Sequence, residues 1–165
     1  MRIDEITRRN FIGGLGALAI PGVSLAGNDA PKFKHTDNAL SAPRDVQRAV
    51  FEWVANAKKI KIDPSIPPPK IVDFWKIDRK IFMQTWGQMP DESRPAPHTY
   101  HWVQNLVIIG PTTQLHSLAH EFVHYFQYMY DVKKDYDRMR WDGISTDWAE
   151  TEAITLQGEF KKAFP

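Results

Sequence analysis

The sequence of 165 residues contains no cysteine. This absence excludes disulfide bonds, thiolate metal ligands and a cysteine nucleophile. An excess of charge of one sign is also lacking, because 21 basic and 20 acidic residues give a net charge of +1. No basic stripe therefore supports nucleic-acid binding, and no polybasic patch supports attraction to anionic lipid. The length predicts one domain, and six tryptophans are enough to help build its core.

Charge is almost absent from residues 112–130, which contain no lysine or arginine and a single acid, Glu121. An exposed amphipathic helix would carry solvating charges on its outer face. At about 100° per residue, one side of a helix here collects apolar residues: Leu115, Leu118, Phe122, Phe126 and Met129. The other side collects polar residues: His116, Ser117, His120, His124 and Gln127. The pattern predicts a helix buried in the domain, with its polar face lining a functional site.

That polar face contains His120-Glu121-Phe122-Val123-His124, an H-E-x-x-H motif. Two histidines four residues apart lie on one face of a helix, so both imidazoles can chelate one zinc ion. Glu121 is then placed to take a proton from a water molecule at the metal. The alternative is a core helix with two hydrogen-bonded histidines, and the lack of solvating residues around the motif disfavours it.

The segments before the motif alternate helical and extended patterns. Polar residues 27–42 predict a mobile lead-in, and apolar residues at helical spacing predict a helix over 43–59. The proline-rich residues 63–69 predict an extended connector. Two runs rich in β-branched and aromatic residues predict strands over 71–75 and 101–109. The second strand leads into the motif helix, where its edge can receive an extended peptide.

The remaining segments complete an α+β domain over residues 43–165. Residues 80–86 fit either a strand or a short helix, and 87–97, with three prolines, predict a loop. The charged residues 131–145 predict a connection to a last helix over 147–162. The expected fold is a small sheet followed by the motif helix, with the last helix packed across it.

The last helix offers two glutamates as a third metal ligand. Asp147 as N-cap and Glu150 three residues later form a capping box, which gives Glu150 a structural role. The apolar arc of the helix is Trp148, Ala149, Ala153, Leu156, Phe160, Ala163 and Phe164. Glu152 projects into this arc, where a carboxylate is costly unless it is paired. Because the two glutamates lie about 200° apart, we predict that Glu152 and not Glu150 binds zinc with His120 and His124.

The motif, together with Glu150-Thr151-Glu152-Ala153, resembles small bacterial zincin metallopeptidases of the gluzincin type. The resemblance covers residues 101–162 and implies a zincin-like fold whose third zinc ligand is a glutamate on a later helix, here Glu152. It also implies a hydrolase that cleaves peptide bonds with metal-activated water and Glu121 as general base. The chain lacks the H-E-x-x-H-x-x-G-x-x-H extension and does not resemble a metzincin.

Such hydrolysis requires a donor that stabilises the oxyanion. The candidates are Tyr100, His101 and Tyr136, and each has a surface or packing role as its alternative. His116 can support a metal ligand through a hydrogen bond. Gln127 either forms a hydrogen bond near the site or orients a tyrosine. His35 and His98 are predicted to be loop residues.

Residues 1–26 resemble a twin-arginine export signal of bacteria. Thr7-Arg8-Arg9-Asn10-Phe11-Ile12 precedes a short apolar run, and Val23-Ser24-Leu25-Ala26 offers small residues for cleavage. Glycines and a proline in the run disfavour the alternative, an amphipathic helix, and the run is too short to span a membrane. The segment predicts a periplasmic or secreted protein without a stable membrane anchor after cleavage. Eighteen basic and eighteen acidic residues would remain.

Peptidase activity on a peptide or protein substrate has two alternatives. One is a catalytically silent protein that keeps the fold and binds a partner in its groove. The other is an amidase that acts on cell-wall peptides, which the predicted compartment permits. Glu121 favours an enzyme over the silent protein, because a protein without catalysis has no need of a base beside the metal.

Export is tested by replacing Arg8 and Arg9 with lysine. If the twin-arginine route is used, the double variant should stay uncleaved in the cytoplasm, because that route recognises the arginine pair. Cell fractionation with immunoblotting measures both the size and the compartment of the chain. Arg2→Lys is the matched control and should leave processing unchanged. Normal processing of the double variant would show that another route exports the chain.

Overall fold

The computed structural model describes residues 32–78, 80–81, 83, 98–132 and 147–165. The helices and strands of these residues are α1 Arg44–Ala57, β1 Lys70–Asp73, β2 Thr99–His101, β3 Leu106–Ile109, α2 Leu115–Phe126 and α3 Asp147–Ala163. A π-helical segment, Gln127–Val132, continues α2 directly. The predicted α+β class is confirmed, as are a small sheet, a helix over the motif and a last helix that packs against it.

The sheet has three strands in the described residues, in the order β1-β3-β2. β3 is central, with β1 parallel and β2 antiparallel to it. The predicted single strand over 101–109 is wrong, because a turn over residues 102–105 divides it into β2 and β3. Asn105 takes a positive φ of 53° in this turn, a conformation that asparagine tolerates better than most residues. The sequence hid the turn because residues 102–105 contain neither glycine nor proline.

Helix α1 confirms the helix predicted over 43–59 and packs against both later helices. Its Phe51 ring lies 5.2 Å from Phe122 and 4.8 Å from Phe126 of α2. Its Trp53 ring meets Phe160 of α3 edge-on at 5.1 Å. These aromatic contacts place α1, α2 and α3 around one apolar core.

The end of α1 is fixed by backbone geometry. Lys59 has a φ of 56°, and the N–H of Ile60 donates to the carbonyl of Ala55 at 2.8 Å. A left-handed residue with this returning hydrogen bond is the usual way to close a helix, although glycine is the common residue there. The closure leaves Lys58 at the last turn, with its side chain only 4% exposed.

Helix α2 is buried on both of its sides, as its lack of solvating charge predicts. The apolar Leu118 and Phe126 are fully buried. The polar Glu121 and His124, and Gln127 directly after the helix, are each at most 7% exposed. His116 and His120 are half-buried and mark the side that approaches solvent. The motif therefore lies on a helix whose polar groups must find partners within the protein.

The connections agree with the sequence in part. Strand β1 ends at Asp73, whose side chain accepts a hydrogen bond from the N–H of Trp75, so the strand predicted to reach residue 75 gives way to a short 3₁₀ turn. Residues 80, 81 and 83 are helical, which favours the helix alternative. The predicted signal 1–26, the loop 87–97 and most of the connector 131–145 lie outside the described residues. No helix in the described part of the chain is both long and apolar enough to cross a membrane.

Candidate metal centre

Three side chains from α2 and α3 bring ligand atoms together. Nε2 of His120 lies 3.0 Å from Nε2 of His124. The carboxylate of Glu150 places Oε2 3.4 Å from the first of these nitrogens and Oε1 3.2 Å from the second. Four ligands around a tetrahedral zinc ion lie about 3.3 Å from one another, given zinc–nitrogen distances near 2.0 Å. The ligand atoms of the two histidines and Glu150 lie within 4.8 Å of one another, so this group could hold a metal ion.

The glutamate that lies beside the two histidines is Glu150 and not the predicted Glu152. The structure brings Glu150 to the histidines and directs Glu152 elsewhere. Oε1 of Glu152 lies 2.5 Å from the ammonium of Lys58, and its Oε2 accepts a hydrogen bond from Gln127 at 2.8 Å. A carboxylate on this face does need pairing, but a lysine and an amide supply it in place of the metal.

The error comes from one edge of the apolar arc of α3. Trp148, counted as core, is 42% exposed, while Ala149, Ala153 and Phe160 are the buried centre. With the arc recentred on these three residues, the glutamates flank it on opposite sides. Glu150 meets the motif histidines on one side, and Glu152 meets Gln127 on the other. The side chain of Asp147 lies outside the described part, so its capping box with Glu150 stays a prediction.

The hydrogen bonds of Gln127 define the tautomer of His124. The Gln127 amide donates to the carbonyl of Ala149 at 2.9 Å and to Glu152 at 2.8 Å, so its oxygen faces Nδ1 of His124 at 2.9 Å. Nδ1 must then carry the proton, which leaves the lone pair on Nε2. That nitrogen is the one directed at His120 and Glu150. Of the two roles considered for Gln127, the structure favours a hydrogen bond at the site.

Sequence reasoning missed Gln157 of α3. Its amide lies 2.7 Å from Nδ1 of His116, and it also forms a side-chain hydrogen bond with His120. Gln157 follows Glu150 by seven residues, so both lie on the same face of α3, two turns apart. This spacing was the available signal: a polar pair on α3 that matches the histidine row on α2.

Two histidines of this row, His116 and His120, have lowered pKa values and are held in the neutral form. Burial lowers the pKa of His120 to about 4, the nearby His124 lowers it further, and Glu150 acts in the opposite direction. Burial also lowers the pKa of His116 to about 4. A neutral imidazole offers a lone pair, which is the form that binds metal ions.

Glu121 is a buried carboxyl group with an unsatisfied oxygen. It is 3% exposed, and its Oε2 has no hydrogen-bond partner among the described residues. Its pKa is raised to about 8, mainly by burial and further by the nearby Glu150, while a hydrogen bond from the Tyr100 backbone N–H acts in the opposite direction. A buried polar atom without a partner calls for a bound proton, water or ligand.

The remaining residues considered from the sequence lie at different positions relative to the motif. The hydroxyl of Tyr100 donates to Asn105 at 3.1 Å, away from the motif, and Tyr136 lies outside the described residues. His101 is buried, and burial lowers its pKa. His98, predicted to be a plain loop residue, places Nε2 3.9 Å from Oε1 of Glu121 and its ring 6.3 Å from that of His120. His98 therefore belongs to the surroundings of the site.

A separate cleft of about 840 Å³ lies on the apolar side of α2. Residues of α1, of the proline-rich connector and of β1 line it, and α2 contributes Phe122. None of the three candidate ligands contacts this cleft. It is therefore a different feature from the metal centre.

Comparison of the chain with protein-family models, with curated proteins and with solved structures gives no match. Membership in the gluzincins therefore stays a prediction that rests on the motif. The function is inferred below from the positions of His120, His124, Glu150 and Glu121.

The raised pKa of Glu121 predicts a pH dependence of stability for the metal-free protein. Between its ordinary pKa of 4.5 and the folded value of about 8, the folded state keeps a proton that the unfolded state has lost. The free energy of unfolding should therefore fall as pH rises from 6.5 to 8, by at most about 1.4 kcal/mol per pH unit. The histidines with lowered pKa values act below pH 6.5, outside this window.

Urea unfolding in the presence of a chelator measures this slope. Glu121→Gln keeps the shape of the side chain and removes its titration, so its stability should be flat across the same window. An equal slope in both proteins would show that Glu121 is ionised throughout and that its pKa is not raised.

Proposed function

We propose that the protein is an exported, zinc-dependent peptidase with a zincin-like fold, in which His120, His124 and Glu150 hold the metal and Glu121 is the general base. The observation that carries the proposal is the triangle formed by two imidazole nitrogens and one carboxylate, together with a buried carboxyl oxygen of the motif that has no partner among the described residues. The export signal predicted over residues 1–26 supports the proposed location.

The residues of the site have different roles in the proposed hydrolysis. A bound zinc ion would supply a Lewis acid that polarises a peptide carbonyl and lowers the pKa of a water molecule. Glu121 accepts the proton of the attacking water and passes it to the leaving amine. A general base works best when its pKa lies near the working pH, and burial raises the pKa of Glu121 above its ordinary value in the metal-free chain. The carboxylate of Glu150, which is 50% exposed, gives an ion access from solvent.

A purely structural role explains only part of this arrangement. In the absence of metal, Nε2–H of His120 can donate to the lone pair of His124, since the two nitrogens lie 3.0 Å apart. That bond leaves the carboxylate of Glu150 against two imidazole rings, although Glu150 is exposed enough to turn to water. It also leaves Oε2 of Glu121 without a partner. A cation between the three ligands would give the carboxylate of Glu150 a charged partner, and a water molecule bound to that cation is a candidate partner for Glu121.

Zinc binding tests the ligand set. The purified wild-type chain should bind one zinc ion, and Glu150→Gln should weaken binding by more than the roughly 10–100-fold that loss of an outer partner costs. Competition with a chromophoric chelator measures the affinity. Glu159→Gln is the matched control, because it makes the same change on the same helix about two and a half turns further along. Unchanged affinity in Glu150→Gln, with complete loss in Glu152→Gln, would restore Glu152 as the ligand.

Hydrolysis is tested separately with Glu121→Gln. This variant should bind zinc like the wild type and lose cleavage of a peptide library, because it lacks the base and no ligand. Wild-type cleavage of cell-wall peptides alone would identify the amidase alternative. Zinc binding without cleavage of either substrate class would identify the silent binding protein. Turnover by Glu121→Gln equal to the wild type would rule out Glu121 as the base.

A further inference from the structure

The buried amide of Gln127 connects the candidate metal ligand His124 to α3. Gln127 is fully buried, and its three polar contacts differ in kind. Its nitrogen donates to the carbonyl of Ala149 at 2.9 Å and to the carboxylate of Glu152 at 2.8 Å. Its oxygen lies 2.9 Å from Nδ1 of His124. An amide has one donating end and one accepting end, so the two acceptors on α3 decide which end faces the histidine.

Glu152 is itself held in place by a buried cation. The ammonium of Lys58 lies 2.5 Å from Oε1 of Glu152 and 3.2 Å from Oδ2 of Asp131 in the π-helical segment. The Lys58 side chain is 4% exposed, so its charge requires these carboxylates. A lysine can only donate, and Glu152 therefore accepts from Lys58 with one oxygen and from Gln127 with the other.

We propose that Glu152 is a positioning residue that acts through Gln127 to hold His124 as the Nδ1–H tautomer, with the Nε2 lone pair directed at the metal. The role of these hydrogen bonds in metal binding rests on the proposed function. The tautomer itself rests on the hydrogen bonds alone. Glu152 thus serves the metal centre without touching it. Lys58 anchors Glu152 and extends this support to the end of α1.

The opposite orientation of the amide shows why Glu152 matters. If Gln127 were flipped, its oxygen would face two acceptors, the Ala149 carbonyl and the Glu152 carboxylate. Its nitrogen would then donate to Nδ1 of His124, and the proton of the imidazole would have to sit on Nε2. A protonated Nε2 cannot bind a metal ion. The negative charge of Glu152 disfavours this flipped state.

Glu152→Gln tests the proposal while keeping the shape of the side chain. Because Lys58 can only donate, the oxygen of the new amide should face Lys58 and its nitrogen should face Gln127. If Glu152 outweighs the Ala149 carbonyl in orienting the amide, Gln127 should then turn its oxygen to residue 152 and its nitrogen to His124, which converts the histidine to the Nε2–H tautomer. Adding Lys58→Met removes the donor that fixes the orientation of the new amide at residue 152, so the double variant should regain the Nδ1–H tautomer. Glu159→Gln is the control and should change neither property.

Two measurements on the full chain separate positioning from a general structural role. Long-range ¹H–¹⁵N spectra of the metal-free protein report which nitrogen of His124 carries the proton. Zinc competition reports the affinity, which should fall by roughly 10–100-fold in Glu152→Gln and recover in the double variant. Thermal unfolding of the same proteins separates a loss of stability from a change of tautomer.

The wild-type spectrum alone can overturn the proposal, even if no variant folds: His124 as the Nε2–H tautomer in the metal-free chain would do so. An unchanged Nδ1–H tautomer in Glu152→Gln would also overturn it, because the amide would then not depend on the charge of Glu152. If the tautomers change as expected but the wild type binds no zinc, the proposed function fails while the hydrogen-bond relay stands.

Discussion

The buried polar side chains of α2, and of Gln127 directly after it, must form their hydrogen bonds within the protein. The positions of β2 and α3 around the helix follow from this constraint. Glu121, His124 and Gln127 are all buried. Each buried polar group costs free energy unless a partner within the protein replaces water. Strand β2 supplies a backbone N–H to Glu121, and α3 supplies the carbonyl and the carboxylate that bind Gln127. The helix that carries the motif is therefore fixed by polar contacts as well as by apolar packing.

Small residues at the centre of α3 let it approach α2 closely enough for these contacts. Ala149 and Ala153 are buried there, and larger side chains would hold the helices apart. One flank of this apolar centre carries Glu150 and Gln157 to the histidine row, and the other carries Glu152 to Gln127. A single helix thus brings a candidate ligand from one side and a positioning carboxylate from the other.

The site holds its polar groups at a cost in stability. Burial lowers the pKa of His120 to about 4 and raises that of Glu121 to about 8, so both groups are pushed toward their neutral forms. Groups with strongly perturbed pKa values that converge at one place are typical of functional sites. A ligand that binds only the folded chain would offset this cost by mass action, which links occupation of the site to the stability of the domain.

The sequence by itself determined the α+β class, the buried motif helix and the histidine pair, because helical periodicity and the absence of charge are local properties. It did not determine the turn over 102–105, which contains neither glycine nor proline and has Asn105 as its one typical turn residue. Nor did it determine which glutamate reaches the histidines. That choice depends on the exposure of Trp148 and on Lys58, which is 94 residues from Glu152 in sequence and in contact with it in the fold. Only the tertiary structure decides such pairings, because the rotation of α3 about its axis is set by distant side chains and not by its own pattern.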